Sequence, residues 1–130
     1  MTKTLIDTSA WIDFFRNNLS PYAEIVTTLI ERDTAAITGP VIAELLQGLK
    51  SRREADNLRE LLSVIPCTEV NHADWNTTGN LLGKLRRHGV TVPLTDALIA
   101  VIAKRNDYNV LTLDHHFNHL EVTLYQVGIQ

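Results

Sequence analysis

Four carboxylates draw attention by where they fall in the 130-residue chain: Asp7, Glu44, Asp96 and Asp114. Asp7 ends the apolar pair Leu5-Ile6, and Asp114 follows Val110-Leu111-Thr112-Leu113. Asp96 opens the apolar run Ala97-Leu98-Ile99-Ala100-Val101-Ile102-Ala103. A helix over Val41 to Lys50, stepping about 100° per residue, places Val41, Ile42, Leu45, Leu46 and Leu49 on one arc. Glu44 then stands at the border of that arc, beside the bare Gly48 one turn later. Each has a structural alternative: Asp7 and Asp96 as helix N-caps, Asp114 as a turn former, Glu44 as a border residue with its head in water. As a group they imply chemistry. Two carboxylates about 5 Å apart repel by about 3 kcal/mol at an effective dielectric near 20, so such a group persists only if protonated or bridged by cations. Oxygen-rich sites of this kind select hard ions such as Mg2+ or Mn2+, which support attack of water on a phosphodiester.

Alternating strands and helices are what would bring the four together. Lys3 to Asp7 reads as a short buried strand, followed by a helix carrying Trp11, Ile12, Phe14 and Phe15. Pro21 suits the first turn of a second helix reaching about Arg32. Thr34 to Thr38 is a second strand, closed by Gly39-Pro40, and Pro40 opens the Glu44 helix. A further helix covers about Arg53 to Leu62, and Ser63 to Val70, broken by Pro66, reads as an edge strand. A long helix from Asn71 to His88 stops at Gly89, the residue that favours a left-handed cap. Thr95 to Asn106 is apolar on most sides and predicts a buried helix. Val110 to Leu113 and Val122 to Val127 are the last two strands. The pattern predicts a three-layer α/β/α fold around a mainly parallel sheet, in which ligands bind beyond the carboxyl ends of the strands.

Composition narrows the partners. Apolar residues make up 45% and charged residues 21%, an ordinary globular balance that opposes disorder. Net charge −3 excludes a protein that coats nucleic acid by bulk charge, though not one with local basic patches. The single cysteine, Cys67, excludes an internal disulfide or a cysteine-rich zinc site and reads as a buried thiol. No apolar run is long enough for a membrane span, and the N-terminus reaches Asp7 before a signal peptide could form, so the expected compartment is the cytoplasm. G-x-S-x-G, P-loop and G-x-G-x-x-G motifs are all missing.

The ordered blocks Leu5-Ile6-Asp7-Thr8-Ser9-Ala10-Trp11-Ile12, Val41-Ile42-Ala43-Glu44-Leu45-Leu46-Gln47-Gly48, Thr95-Asp96-Ala97-Leu98-Ile99-Ala100 and Leu111-Thr112-Leu113-Asp114, with Phe117 shortly after, resemble the PIN domain family, and in particular its VapC-type toxin ribonucleases. Leu85-Arg86-Arg87-His88-Gly89 before the third block is similar too. The resemblance covers nearly the whole chain and implies a single PIN-like nuclease domain over residues 1–130. It implies an Mg2+- or Mn2+-dependent endoribonuclease with Asp7, Glu44, Asp96 and Asp114 as the acidic quartet. By that analogy Asp7 and Asp96 are the firmest metal ligands, Asp114 is a direct or water-mediated one, Glu44 holds or deprotonates metal-bound water, and the hydroxyls of Ser9 and Thr112 orient the carboxylates. It also implies a homodimer, neutralised by a cognate antitoxin that alone contacts operator DNA, with RNA as substrate and no membrane. One departure stands out. Many relatives carry another acid two positions after the last Asp, and here His116 stands there, able to ligate Mn2+ but a poor ligand for Mg2+, which leaves open one tightly bound ion or a second recruited only with substrate phosphate.

Other features weigh less. His115 and His119 stand at i, i+4, but no Glu follows the first and no Cys is near, so a zinc site is not expected. Lys50, Arg52, Arg53, Lys84, Arg86 and Arg87 fall near helix ends, where the helix dipole favours cations. Arg86 is the best single choice for holding an RNA phosphate. Trp11, Phe14 and Phe15 read as core or dimer contact. An aspartyl phosphatase would need a second Asp at position 9, where Ser9 stands. A non-toxin PIN nuclease in RNA maturation and a non-catalytic PIN-like binding module are the alternatives.

Overall fold

A computed structural model describes residues 2–16 and 19–127. Its elements run β1 (Thr4–Ile6), α1 (Thr8–Arg16), α2 (Pro21–Glu31), β2 (Ala35–Thr38), α3 (Gly39–Gln47), α4 (Arg52–Leu62), β3 (Cys67–Thr68), α5 (His72–Arg87), α6 (Leu94–Arg105) and β4 (Asn109–Leu111). A 3-10 turn, His115–His119, follows β4. The sheet has the order β3-β2-β1-β4 and every pairing is parallel, with Leu5 beside Ala36 on one side and Val110 on the other. The three-layer α/β/α expectation holds. A parallel sheet must be covered on both faces, and Leu5, Ile6, Ala36, Ile37, Val110 and Leu111 are accordingly almost inaccessible. On the helical layers α1 packs against α2 and α3, and α5 against α6. The apolar face of α6 is broad, with Ala97, Leu98, Ile99, Ala100, Ile102 and Ala103 all buried.

This construction puts the functional side chains at one edge. The parallel strands all end on the same side, so Asp7 after β1 and Thr112 to Asp114 after β4 emerge together. Gly89, at φ 79°, ends α5 in the left-handed conformation that glycine tolerates best. The chain then turns back through Pro93, whose fixed φ sets the start of α6 and so the place of Asp96.

Four expectations are corrected. Val122 to Val127 is not a strand: only Leu124 bridges Val110, because three-residue β4 offers a short ladder before the chain turns away. β4 also stops at Leu111 and not at Leu113, because the backbone N–H groups of Leu113 and Asp114 donate to the hydroxyls of Ser9 and Thr112 and not to a neighbouring strand. Cys67 is exposed, lying on the two-residue edge strand β3. Helix α3 ends at Gln47, before the predicted Lys50, and its apolar arc is narrower than five residues: Leu46 is 51% exposed and Glu44 lies in solvent beside it.

Candidate active site

Asp7 is the most buried carboxylate of the quartet, at 3% exposure. Ser9 Oγ donates to its Oδ1 at 2.7 Å, Thr112 Oγ1 to its Oδ2 at 2.7 Å, and the backbone N–H of Ala10 to Oδ1 at 3.2 Å. The last bond makes Asp7 an N-cap of α1, so its structural role and its place in the acidic group coexist. Ser9 and Thr112 in turn accept the backbone N–H groups of Leu113 and Asp114, each at 2.9 Å. One hydrogen-bond web therefore ties the start of α1 to the loop after β4, across more than a hundred residues of sequence. Among the described residues both lone pairs of Oδ1 are engaged and one on Oδ2 stays open.

Asp96, in the first turn of α6, and Asp114, after β4, approach each other and His116. One ligand atom from each of these three lies within 4.8 Å of the others. The Nδ1 of His116 is 2.8 Å from Asp114 Oδ1 and 3.2 Å from Asp96 Oδ2. One Nδ1–H cannot serve both, and Asp96 Oδ2 is a buried oxygen without a hydrogen-bond donor among the described residues. The backbone N–H of His116 donates to Asp114 Oδ1 at 2.9 Å, the turn that starts the 3-10 segment. Asp114 is thus also the turn former that its sequence suggests.

The electrostatics follow from burial and crowding. Burial pushes Asp96 up to about 7, and the charge of Asp114, its hydrogen bond and the charge of Asp7 push the same way, against the pull of His116. Burial raises Asp7 as well, only partly offset by Ser9, Thr112 and Ala10. Asp114 moves the other way. Burial opposes ionisation there, but the His116 N–H, the imidazole and a hydrogen bond shared with Asp96 hold it below the usual carboxylate range. Within the pair the charged form is favoured on Asp114 and disfavoured on Asp96. The group thus offers, among the described residues, a buried Asp96 oxygen without a donor and an Asp7 oxygen with one lone pair open. The oxygen donors suit a small hard divalent ion.

Glu44 stands apart from this group. Its Oε1 accepts the Thr8 hydroxyl at 2.6 Å, so it is one residue removed from Asp7 through the first residue of α1. It borders a cleft of about 260 Å3 between α1, α3 and α4, lined also by Ile12, Phe15, Leu45, Lys50 and Leu58. Arg86 lies exposed in the last turn of α5 and bonds none of the four carboxylates. His115 and His119 do not join the Asp96–Asp114–His116 group. Trp11 is buried and stacks against Phe15, 45% exposed, with Phe14 packed edge-on to both. One participant had no sequence signal as a partner, Thr8, which tethers Glu44, whereas His116, singled out in the sequence for its place after Asp114, also neighbours Asp96, 20 positions away.

Residues 4–122 match the PIN domain family. The chain is 32% identical over 118 residues to Ribonuclease VapC11 of Mycobacterium tuberculosis, covering 88% of each chain. It stands at the same identity and coverage to VapC ribonuclease Mb1587 of Mycobacterium bovis. Among solved structures, DNA-bound VapBC from Salmonella typhimurium superposes at a TM-score of 0.81 with 21% identity, over 97% of this chain and 98% of that one. VapBC2 from Rickettsia felis, bound to a promoter DNA fragment, gives 0.80 with 18% identity, over 96% and 98%. These two likenesses speak for the fold. Among the described residues no helix is long and apolar enough to cross a membrane.

Proposed function

The chain belongs to the PIN domain family, and from that premise we propose that it is a divalent-metal-dependent endoribonuclease, the toxin of a toxin–antitoxin pair. The observation that carries this reading is the meeting of Asp7, Asp96 and Asp114 at one sheet edge with burial and mutual repulsion uncompensated by any Lys or Arg among the described residues. An inert scaffold gains nothing from such a group, and the relatives at 32% identity are ribonucleases by name. Asp7, Asp96 and Asp114 are the residues that would hold Mg2+ or Mn2+. A bound ion of this kind supplies positive charge to phosphate oxygens and lowers the pKa of water.

The chain's own residues do the rest. Asp96 would hold such an ion in its ionised form, so that ion binding would be linked to proton release. Ser9 and Thr112 fix both oxygens of Asp7, so that its open lone pair has one direction. Glu44, which accepts the Thr8 hydroxyl outside the cluster, would orient the attacking water or help deprotonate it. Arg86 would hold an RNA phosphate at the end of α5. The chain acts as a single nuclease domain in the cytoplasm, as a homodimer, silenced by a cognate antitoxin through which alone it meets DNA. Solved VapBC complexes of the same fold support that partner.

Cleavage of total bacterial RNA on a denaturing gel, with Mg2+, Mn2+ or EDTA, tests the reading. Discrete products that need metal and vanish in Asp7→Asn are expected. Cleavage that ignores EDTA, or that persists in the variant, would overturn it. Folded, partner-free protein that yields no metal-dependent product would favour a binding module. Rescue of growth by a neighbouring small open reading frame separates a toxin from an RNA-maturation nuclease.

A further inference from the structure

The ion site proposed above contains one nitrogen. His116 sits where its Nδ1 is 2.8 Å from Asp114 Oδ1 and 3.2 Å from Asp96 Oδ2. Neighbouring donors of an octahedral ion with bonds of about 2.1 Å stand about 3.0 Å apart. The imidazole therefore already occupies the spacing of a ligand next to both carboxylates. Its backbone is held at that place. The backbone N–H of His116 is bound to Asp114 Oδ1 at 2.9 Å, and the 3-10 segment it opens is anchored by the buried Phe117 next to it. The Asp96 oxygen it approaches is buried and has no hydrogen-bond donor among the described residues, so the ring serves Asp114 and leaves that Asp96 oxygen open beside it.

From this arrangement, and resting on the metal-dependent reading above, we infer that His116 is itself a ligand through Nδ1 and makes the site prefer Mn2+ to Mg2+. Mg2+ is a hard ion that takes oxygen donors and keeps its waters, and an imidazole adds little to its binding. First-row transition ions accept imidazole nitrogen readily, so one nitrogen among carboxylate oxygens shifts the balance toward them. His116 is thus a specificity-determining residue for the ion. The three all-oxygen ligands Asp7, Asp96 and Asp114 define where an ion sits, and the ring selects which ion.

The test is metal binding by the full-length, antitoxin-free protein, read without any RNA. Titration calorimetry at one fixed pH gives the Mn2+ and Mg2+ affinities of wild type, His116→Ala and His116→Asp. Pulsed EPR of the bound Mn2+ reports directly on nitrogen ligands. Wild type should bind Mn2+ at least tenfold more tightly than Mg2+ and show 14N modulation from one imidazole. His116→Ala should lose that modulation and weaken Mn2+ by about ten- to a hundredfold, no less than the loss of a group supporting a ligand, while Mg2+ changes little. His116→Asp should narrow the Mn2+/Mg2+ ratio. Bound Mn2+ without 14N modulation in the wild type overturns the inference, and so does modulation that survives in His116→Ala. Mn2+ binding that tightens in His116→Ala would show that the ring is a built-in counter-cation and not a ligand. Failure of wild type to bind either ion would overturn the metal-dependent reading itself, a different outcome from binding without nitrogen.

Discussion

Two buried aspartates of this chain meet opposite fates. Asp74, 2% exposed in the first turn of α5, takes a two-point grip from Arg105 of α6: Nε to Oδ1 at 2.8 Å and Nη2 to Oδ2 at 2.9 Å. The Asn71 N–H adds a bond at 2.7 Å, and Arg105 Nη2 also donates to the Glu69 carbonyl at 2.9 Å. Burial alone would raise Asp74, but Arg105 and Asn71 outweigh it and hold it below the usual range. Asp96, on the same α6 that carries Arg105, is given another carboxylate and an imidazole, and is pushed up to about 7. One helix thus has a fully compensated ion pair at its C-terminal end and an uncompensated acid at its N-terminal end. Compensation marks structure. Its absence, where a buried carboxylate is kept regardless, marks a place prepared for something else.

The comparison breaks first at the ion pair. Arg105→Ala leaves Asp74 buried without its cation and should cost about 2–3 kcal/mol in chemical denaturation, with the metal dependence of cleavage unaltered. A saturating divalent ion should do the reverse at the other end of the helix. At a hundred times its Kd it should raise wild-type stability by about 2.7 kcal/mol, and should do much less for Asp7→Asn. An equal gain in both would place the ion elsewhere.

The pH dependence sharpens the contrast. The folded pKa of Asp96 is raised, so between its ordinary value of 3.8 and about 7 the unfolded chain ionises first. Its contribution is full below about pH 4 and is lost as pH rises through about 7, by about 1–2 kcal/mol after solvent screening. Asp74 has the opposite sign: its contribution is present at neutral pH and is lost as pH falls through its lowered folded value. Metal-free unfolding followed from pH 4 to 8 should show wild type losing stability relative to Asp96→Asn. Arg105→Ala should show no such relative change over the upper half of that range. The smallest effect is expected at Thr8→Val, which frees Glu44. Stability should change by less than about 1 kcal/mol, with cleavage reduced a few-fold.

Much of this site was legible because parallel topology is legible. Once Leu5-Ile6 and Val110-Leu111 are strands of one parallel sheet, Asp7 and Asp114 must leave at the same edge, and the apolar helix after Asp96 has to lie against that sheet. Gly89 marked its turn for a local reason, the φ it adopts. What stayed hidden depends on partners far away in the chain. Nothing local in Asp74 announces Arg105 31 positions later, and nothing in Glu44 announces Thr8. The exposure of Cys67 and Leu46 likewise depends on where β3 and α3 stop. Val122 to Val127 has the residues of a strand, but β4 has no length left to pair with it.

One variant measured two ways tests the central claim most directly: Asp96→Asn, assayed for RNA cleavage with Mn2+ or Mg2+ and for metal-free stability at pH 8. The account predicts that cleavage disappears while stability rises by about 1–2 kcal/mol, because the residue is kept for an ion and not for the fold. Retained cleavage, or stability that falls with activity, would contradict it.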